Sequence, residues 1–469
     1  MTSRSYNSKK LNYSYKLIKG EIVKLRKASK ILASASLLAL LAGCGTTSST
    51  EEAGNDSSPD TSADTATEVI KEPVEIEYYT LAWQEGAIAS QQEIVEAFNA
   101  QSDYVTVKFV QGDWGAIDQL LTTCFEAGTC PDVFHFEDGP LRSYAQRGNL
   151  VDLSTLMSDE FYSSIPESAW ETTQYGDLEG IYGAPFLMEN RLIIANKDLM
   201  DAAGVKPATV DDPWTWAEFR AAAKAMTSAD VHGAGLSLRG GGGVNGIIRL
   251  ASSVGGEYFD DSSGSWKTIM GPNELELPKL FHDMIHVDGS MSTELLGLSG
   301  SGVNTLFLQG SLGMQIAGDY LRSQVVAGAP DFEWIVMPAP IGVSAKQANN
   351  SQTLSIASTS EAPEAAMEFI EFALNAENQV KLALGDWLIP VATDAVNSSE
   401  LASAGNFWDV SLALAKNLDY APWQDISTYG DWRSETAPAW FDYLNGDSSL
   451  DEFTQRVVSL GDPALARAN

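Results

Sequence analysis

Residues 75–83 read EIEYYTLAW, and they open the stretch of chain that decides the fold. Their alternation and their aromatic content are typical of a β-strand. Residues 90–100 (SQQEIVEAFNA) place apolar side chains at helical spacing, and residues 104–110 (YVTVKFV) predict a second strand. A second helix is predicted at residues 116–126, and a third strand at residues 132–136 (DVFHF). Strands that alternate with helices predict right-handed crossovers and a parallel sheet.

The same mixture of elements continues towards the carboxyl terminus. Strands are predicted within residues 181–195, 306–317 and 333–338, and helices at residues 361–374 and 377–385. The body of the chain is therefore expected to be of the α/β class.

Composition limits the classes of function. The chain has 469 residues, of which 44% are hydrophobic and 20% charged, so a globular protein of two or three domains is expected. Acidic residues outnumber basic ones 63 to 29, which gives a formal net charge of −34. A chain this acidic repels phosphate backbones, so we expect no nucleic-acid partner.

The amino-terminal segment has the pattern of a secretory signal. Residues 1–30 carry nine basic side chains and one acidic one, and an apolar run follows from Ile31 to Leu41. That run is too short to span a bilayer of about 30 Å as a helix, so residues 1–43 are predicted to be a signal peptide. Leu41-Ala42-Gly43-Cys44 is similar to the bacterial lipobox, which implies acylation of Cys44. An ordinary signal peptide with a chance cysteine is the alternative.

A polar tether is expected between the signal and the body. Residues 44–75 are acidic and rich in Ser and Thr, a composition that predicts disorder because it buries little apolar surface. Without residues 1–43 the formal charge becomes −42, since that segment holds nine of the basic residues and one of the acidic ones. The mature protein is thus expected outside the cytoplasm, lipid-anchored to the bacterial cell membrane.

Two further cysteines, Cys124 and Cys130, lie close together in the sequence. An extracytoplasmic compartment permits oxidation, so a small-loop disulfide is favoured over two free buried thiols or a metal pair. None of the four histidines stands at a recognisable ligand spacing, and no metal site is predicted.

Several short motifs occur in an order that resembles a known family. They are Gly128–Val133 (GTCPDV), Tyr182–Pro185 (YGAP), Trp214–Phe219 (WTWAEF), Phe307–Met314 (FLQGSLGM) and Pro363–Ile370 (PEAAMEFI). Each is weak alone, but together and behind a lipobox they resemble the extracytoplasmic solute-binding proteins of ABC importers. More narrowly, they resemble the carbohydrate-binding family that includes maltose-binding protein.

The resemblance implies a two-lobed, periplasmic-binding-protein-like α/β fold, in which each lobe is a mainly parallel sheet flanked by helices. The ligand is expected in a cleft between the lobes, and hinge closure would couple its binding to docking on a membrane permease. The expected division is 76–187 plus 352–374 for lobe one and 188–351 plus 375–469 for lobe two. The chain would cross between lobes near Leu187–Glu189, Asn349–Thr353 and Leu374–Glu377.

Candidate ligand residues follow from the geometry of parallel sheets. Loops at the carboxyl ends of the strands face the cleft of such a fold, and a sugar site needs aromatic rings together with carboxylates, amides or guanidinium groups. The first three strands are followed by Trp83, Gln84 and Glu85, by Asp113 and Trp114, and by Glu137 and Asp138. Core packing for the tryptophans and helix capping for Asp113 and Glu137 are the alternatives.

The family resemblance adds further candidates. Relatives carry ligand-contacting or cleft-lining groups at the positions of Glu189, Asp319, Tyr320, Trp387, Trp432 and Arg433. Glu189 is favoured among them because an acid at a mostly apolar crossing needs a partner. Tyr320 stands where relatives often carry a stacking Trp, so the ring is smaller but still aromatic.

The leading hypothesis is a monomeric binding protein that performs no chemistry, needs no cofactor and delivers a sugar or oligosaccharide to an ABC permease. A binder of a cationic molecule such as a polyamine is one alternative, since the chain is acidic. A secreted glycoside hydrolase or an adhesive lipoprotein are others. No G-x-S-x-G or H-E-x-x-H motif supports an enzyme.

Overall fold

A computed structural model describes residues 71–176, 178–238, 243–419 and 422–468. The predicted signal peptide (1–43), the predicted lipidation site Cys44 and all but the last residues of the predicted tether (44–75) lie outside the described residues.

The described ranges contain fourteen strands, several of only two residues. They are β1 (Val74–Thr80), β2 (Val105–Gln111), β3 (Val133–Glu137), β4 (Ala184–Met188), β5 (Arg191–Asn196), β6 (His232–Gly235), β7 (Phe259–Asp260), β8 (Lys267–Thr268), β9 (Leu312–Gly318), β10 (Trp334–Pro338), β11 (Gln347–Ala348), β12 (Ser351–Ile356), β13 (Ile389–Pro390) and β14 (Leu418–Asp419).

Nineteen α-helices are found in the same ranges. They are α1 (Glu85–Gln101), α2 (Ile117–Ala127), α3 (Asp138–Gln146), α4 (Asp159–Ser164), α5 (Glu167–Trp170), α6 (Lys197–Ala202), α7 (Trp216–Met226), α8 (Gly243–Ala251), α9 (Glu276–His286), α10 (Thr293–Leu296), α11 (Gly300–Leu308), α12 (Leu321–Gly328), α13 (Pro363–Ala373), α14 (Ala376–Asp386), α15 (Thr393–Val396), α16 (Ser399–Ser403), α17 (Trp408–Leu414), α18 (Tyr429–Asn445) and α19 (Leu450–Leu465).

The first sheet has six strands in the order β13-β4-β12-β3-β1-β2. β1 lies between β2 and β3 and pairs in parallel with both, which confirms the prediction from residues 75–136. The return connections are α1 and α2, whose apolar faces pack on the sheet. β12 then pairs antiparallel with β3 and β4, and β13 pairs antiparallel with β4.

The second sheet has four strands in the order β10-β5-β9-β6. β5 is antiparallel to both of its neighbours, and only β6 and β9 pair in parallel. The two-lobed α/β architecture is confirmed, but both sheets are mixed, whereas the sequence predicted mainly parallel sheets. The physical reason is that β5 and β12 enter their sheets from the other lobe, without the helical crossover that parallel neighbours require.

Each sheet organises its own hydrophobic core. The first lobe, built on the six-stranded sheet, buries Ile76, Phe98 and Phe369 together. The second lobe, built on the four-stranded sheet, buries Ile193 with Trp440 and many others. Because each core can exclude water independently, the lobes can move relative to each other without exposing either core.

The chain changes lobe at three places. It does so between β4 and β5, between β11 and β12, and around α17. In α17, Trp408 packs in the first core, while the preceding Phe407 lies 5.0 Å from Trp334 of the second lobe, centroid to centroid.

The chain does not pass from one lobe to the other at Leu374–Glu377, so that expected crossing is wrong. Val380 and Ala383 of α14 are buried in the first core, and β13 extends the first sheet. Residues 376–401 pack with lobe one instead of lobe two, because the apolar face of α14 lies against α1.

Helices α1 and α14 approach each other through two glycines. A Cβ atom on Gly385 would lie 2.7 Å from the carbonyl oxygen of Gly86, and one on Gly86 would lie 3.2 Å from that of Gly385. Only residues without a side chain allow the two backbones to come this close.

The favoured disulfide between Cys124 and Cys130 is present, with Cα atoms 4.7 Å apart. It closes the turn after α2, where Gly128 has a φ of +67° and caps the helix in the left-handed conformation.

Replacement of both cysteines (Cys124→Ala with Cys130→Ala) should lower the free energy of unfolding by about 2 kcal/mol, because the closed loop is short. Urea unfolding would measure the difference. The oxidised wild type treated with a reductant serves as control and should lose a similar amount. Equal stability of all three samples would contradict the expectation.

Candidate ligand-binding site

Glu189 lies at the crossing from β4 to β5 and is 7% exposed. Its carboxylate forms ion pairs with Arg191 Nη2 at 3.2 Å and with Arg249 Nη1 at 3.1 Å. Arg249 also donates to the carbonyl oxygens of Glu189 (2.5 Å) and Ala348 (3.1 Å). Burial alone would raise the pKa of Glu189, but the two guanidinium groups hold it below its ordinary value.

Gly318, the last residue of β9, lies opposite Arg191. A Cβ atom at this position would come within 2.2 Å of Glu189 Oε1. A glycine is therefore required for the carboxylate to lie where both arginines reach it.

Asn350 connects Glu189 to the edge of the first sheet. Its Nδ2 donates to Oε1 of Glu137, which ends β3, at 3.1 Å. The same side chain helps to hold the pKa of Glu189 below its ordinary value. An amide for which the sequence offers no local signal thus lies between two of the predicted acids.

An aromatic side chain from each lobe meets at this place. Trp83, which follows β1, is 46% exposed, and its ring centroid lies 6.2 Å from that of Tyr320 at an interplanar angle of 78°. Tyr320 in turn hydrogen-bonds Arg191. We call the resulting group the interlobe cluster; it consists of Trp83, Glu137, Glu189, Arg191, Arg249, Tyr320 and Asn350.

Asp319 is placed differently from the expectation. It is fully buried, and its carboxylate accepts hydrogen bonds from the Asn190 amide (2.9 Å) and the Ser411 hydroxyl (2.6 Å). Arg322 Nη2 lies 3.5 Å from it. Burial raises the pKa of Asp319, and the nearby arginine opposes that rise. These contacts connect β9 to α17, so Asp319 holds the third crossing and is not open to the cleft.

Trp387, like Asp319, contacts Arg322 and thereby helps to hold the third crossing. Its carbonyl oxygen accepts from Arg322 Nη2 at 3.2 Å, and the guanidinium carbon lies 5.5 Å from its ring centroid. The half-buried ring therefore binds a cation of the protein.

Trp432 does not line the cleft, which corrects the expectation from the family pattern. The side chain is fully buried in the second core, its Nε1 donates to Thr268 Oγ1 at 3.0 Å, and its ring lies 4.9 Å from Phe259. The following residue, Arg433, is exposed and lies 6.0 Å from the ring of Tyr429.

Tyr429, of the same late region, lies close enough to the interlobe cluster for Arg249 and Glu137 to act on its hydroxyl electrostatically. Its hydroxyl donates to Asn245 Oδ1 at 2.7 Å, and its ring stacks between Trp423 and Trp432. Burial raises the pKa of Tyr429, an effect that Arg433 and Arg249 oppose.

The remaining candidates occupy the edge of the first lobe. Glu85 is exposed in the first turn of α1, and Asp113 accepts from the Gly115 amide at 2.9 Å in an exposed turn. Trp114 is half-buried and lies edge-on to His135 at 5.5 Å. Asp138 is 1% exposed, and burial raises its pKa to about 7.

Sequence reasoning missed Arg191, Arg249, Asn350 and Tyr429. Arg249 offered a signal, because it stands between Ile248 and Leu250 in an apolar helix, where an arginine needs a buried anion. No local signal marks Asn350 or Tyr429, since each acquires its partners through contacts distant in sequence.

Two cavities differ in size and place. One of about 570 Å³ lies within the first lobe beside Tyr162 and Gln174, away from the cluster. The other, of about 20 Å³, lies beside Arg191 and Tyr320. Ligand sites usually measure about 300–1,000 Å³, so a ligand held by these two residues requires the lobes to move apart.

Two α/β lobes, three crossings and a polar, aromatic cluster between the lobes define a two-lobed solute-binding protein. Residues 83–380 match the family of bacterial extracellular solute-binding proteins, and the chain belongs to that family. The family is extracellular, in agreement with the predicted secretory signal. Within the described ranges, no helix combines the length and apolar character that a bilayer crossing requires.

Individual relatives agree with this assignment. An uncharacterized lipoprotein in the oleD 5′ region of Streptomyces antibioticus is 35% identical over 424 residues, or 89% of each chain. The ABC substrate-binding protein of Listeria monocytogenes in complex with cycloalternan is similar in structure, with a TM-score of 0.71, 21% identity, and coverage of 84% of this chain and 99% of that one. The GacH receptor of Streptomyces glaucescens, solved unliganded and with acarbose, has a TM-score of 0.72 at 19% identity, covering 85% and 100%.

Substitution Trp432→Ala should lower the free energy of unfolding by about 3–5 kcal/mol, because it leaves a cavity in the second core. Arg433→Ala, an exposed neighbour, should change stability little and serves as the control. Chemical denaturation would compare the two. A Trp432→Ala protein as stable as the wild type would contradict the buried position.

Substitution Asp386→Asn should change how stability depends on pH. Burial raises the pKa of Asp386 to about 7 from 3.8, while Gln84 opposes the rise. Between these values the folded state binds a proton that the unfolded state lacks, so this group lowers stability as pH rises from 4 to 7. The variant should gain stability relative to wild type over that range, and the gain should level off above pH 7.

Urea unfolding of both proteins at pH 4.5, 6 and 8 tests this difference. Other buried groups titrate equally in the two proteins and cancel in the comparison. A difference that does not change with pH would contradict the burial of an ionisable carboxyl at this position.

Proposed function

We propose that this chain is the extracytoplasmic substrate-binding lipoprotein of an ABC importer, and that it binds an uncharged sugar or oligosaccharide between its lobes. The interlobe cluster carries this proposal, because it brings rings and paired hydrogen-bonding groups from both lobes to one place. Closure of the lobes then presents the loaded protein to a membrane permease.

The chemistry of the cluster suits a carbohydrate. The exposed face of Trp83 and the edge of Tyr320 offer apolar surface for sugar C–H groups. Carboxylate, amide and guanidinium groups of Glu137, Asn350 and Arg191 offer acceptors and donors for hydroxyls.

Charge balance favours a neutral ligand over a cationic one. The guanidinium groups of Arg191 and Arg249 face the carboxylates of Glu189 and Glu137, and both acids act on both cations. A polyamine would have to displace an arginine from Glu189 and leave that arginine buried without its anion, which is costly.

The relatives support the same class of ligand. The two solved structures described above hold cycloalternan and acarbose, both carbohydrates. The lipoprotein relative supports a lipid anchor at Cys44. We further propose that the protein acts as a monomer without a cofactor, and that it does not hydrolyse its ligand.

A thermal-shift screen of the mature chain without its lipid tests the function. Mono-, di- and oligosaccharides should include a class that raises the midpoint, because a ligand that binds only the folded state stabilises it. Polyamines should have no effect, and aryl glycosides should remain intact. A shift with polyamines alone, or with none of the compounds, would contradict the proposal.

Substitution Trp83→Ala should weaken sugar binding by roughly five- to thirtyfold, since the loss of an aromatic platform costs about 1–2 kcal/mol. Because nearly half of this side chain is exposed, stability should change little. Titration calorimetry would measure the dissociation constant.

Tyr162→Ala is the matched control, because Tyr162 is an aromatic of similar exposure (37%) in the first lobe beside the larger cavity. Its loss should leave the dissociation constant unchanged. Equal affinities for wild type and Trp83→Ala would place the ligand elsewhere.

A further inference from the structure

Helix α3 of the first lobe contacts a short 3₁₀ turn of the second lobe, Pro422–Asp425. Two side chains of α3, one helical turn apart, make this contact. Asp138 Oδ2 accepts a hydrogen bond from Gln424 Nε2 at 2.5 Å, and Arg142 Nη1 forms an ion pair with Asp425 Oδ1 at 3.2 Å.

The two sides of this contact belong to different cores. Leu141, between the two α3 residues, is buried with Tyr79 in the first lobe. Trp423 and Ile426, which flank Gln424 and Asp425, are buried in the core of the second lobe. These contacts therefore join the two lobes. They lie beside the second crossing, where Asp138 Oδ2 also accepts from the Ser351 amide at 3.2 Å.

The first-lobe side is held in position before the lobes meet. The Tyr175 hydroxyl donates to the carbonyl oxygen of Asp138 at 2.9 Å, and the Arg142 guanidinium carbon lies 5.5 Å from the Tyr175 ring centroid. Asp138 Oδ1 also accepts from the Gly139 amide at 2.7 Å. A preorganised surface loses little entropy when its partner arrives.

Burial makes the contact sensitive to the distance between lobes. Asp138 and Gln424 are each 1% exposed and Arg142 is 7% exposed, whereas the Asp425 side chain is 38% exposed. A buried charge is stable only with its partner or with water. Separation of the lobes must therefore exchange these bonds for hydration.

We propose that Asp138, Arg142, Gln424 and Asp425 form an interlobe latch that sets the fraction of molecules with closed lobes, and thereby the affinity for the solute. The latch residues position the lobes and do not touch the solute. This assigns Asp138 a role other than the ligand contact expected from its place after β3. The statement on affinity rests on the proposed function, whereas the statement on closure does not.

The expected effect on binding follows from population shift. The apparent dissociation constant equals the intrinsic one divided by the fraction of binding-competent molecules. Loss of a partly buried ion pair should reduce the closed fraction. Because the closed arrangement leaves only about 20 Å³ beside Arg191 and Tyr320, the open molecules are the binding-competent ones, and the apparent dissociation constant should fall by about two- to fivefold.

The test measures the distance between lobes directly. Nitroxide labels on Glu96→Cys of the first lobe and Lys279→Cys of the second, both exposed, report that distance in the mature chain without solute. Arg142→Ala should shift the distance distribution towards longer values. Arg147→Ala removes an exposed charge next to the end of α3, where its partners Ser143 and Tyr144 belong to the same lobe, and should change nothing.

Charge exchange separates a latch from a general packing effect. Arg142→Asp combined with Asp425→Arg should restore both the wild-type distances and the wild-type affinity. If Arg142→Ala does not fold, Asp425→Asn removes the pair from its more exposed side and should lengthen the distances in the same way.

Two outcomes distinguish this proposal from the proposed function. Unchanged distances in Arg142→Ala or Asp425→Asn overturn the latch, whatever the protein binds. Lengthened distances in a protein that binds no sugar support the latch and overturn the proposed ligand class.

Discussion

The buried carboxylate of Glu189 is the constraint on which the rest of this structure depends. It is held between Arg191 of β5 and Arg249 of α8, and Arg249 also reaches the carbonyl of Ala348 in β11. One acid thus connects two of the three crossings to a helix of the second lobe. A buried ion pair contributes little net stability, but it permits few alternative arrangements, because every other arrangement leaves a charge unpaired.

The third crossing is held by the same kind of interaction. Asp319 and Arg322 connect β9 and α12 to Asn190, to Ser411 of α17 and to Trp387 of the first lobe. The rims of the cleft are joined instead by smaller contacts, such as the hydrogen bond from Ser323 to Gln84 and the Trp83–Tyr320 ring contact. Strong buried charges at the crossings and weaker bonds at the rims allow the lobes to rotate about fixed points.

Local periodicity explains why one part of the fold could be predicted and another could not. β1, α1, β2, α2 and β3 follow one another with clear two- and 3.6-residue patterns, and their right-handed order follows from chain connectivity. The apolar face of α14 shows that the helix packs on a core, but the pattern is the same for either lobe. Its assignment depends on contact with α1, about 290 residues earlier, which no local pattern reveals.

The candidate site residues also divide into those whose position the local sequence predicts and those whose position depends on contacts distant in sequence. The positions of Trp83 and Glu137 between the lobes could be predicted because the carboxyl ends of parallel strands meet at one edge, and the ion pairs of Glu189 because an acid at an apolar crossing needs a partner; their contact with a ligand stays a prediction. Trp432 was misplaced because burial of an aromatic depends on its tertiary neighbours, here Phe259 and Thr268.

The close contact between Gly86 and Gly385 has a consequence for the first lobe. It joins α1, which begins just after Trp83 and Gln84, to α14, which ends just before Trp387, so that the two helices form one stiff wall. That wall keeps its shape when the lobes open. This part of the first lobe therefore has its final conformation before a solute arrives, and binding there loses little conformational entropy.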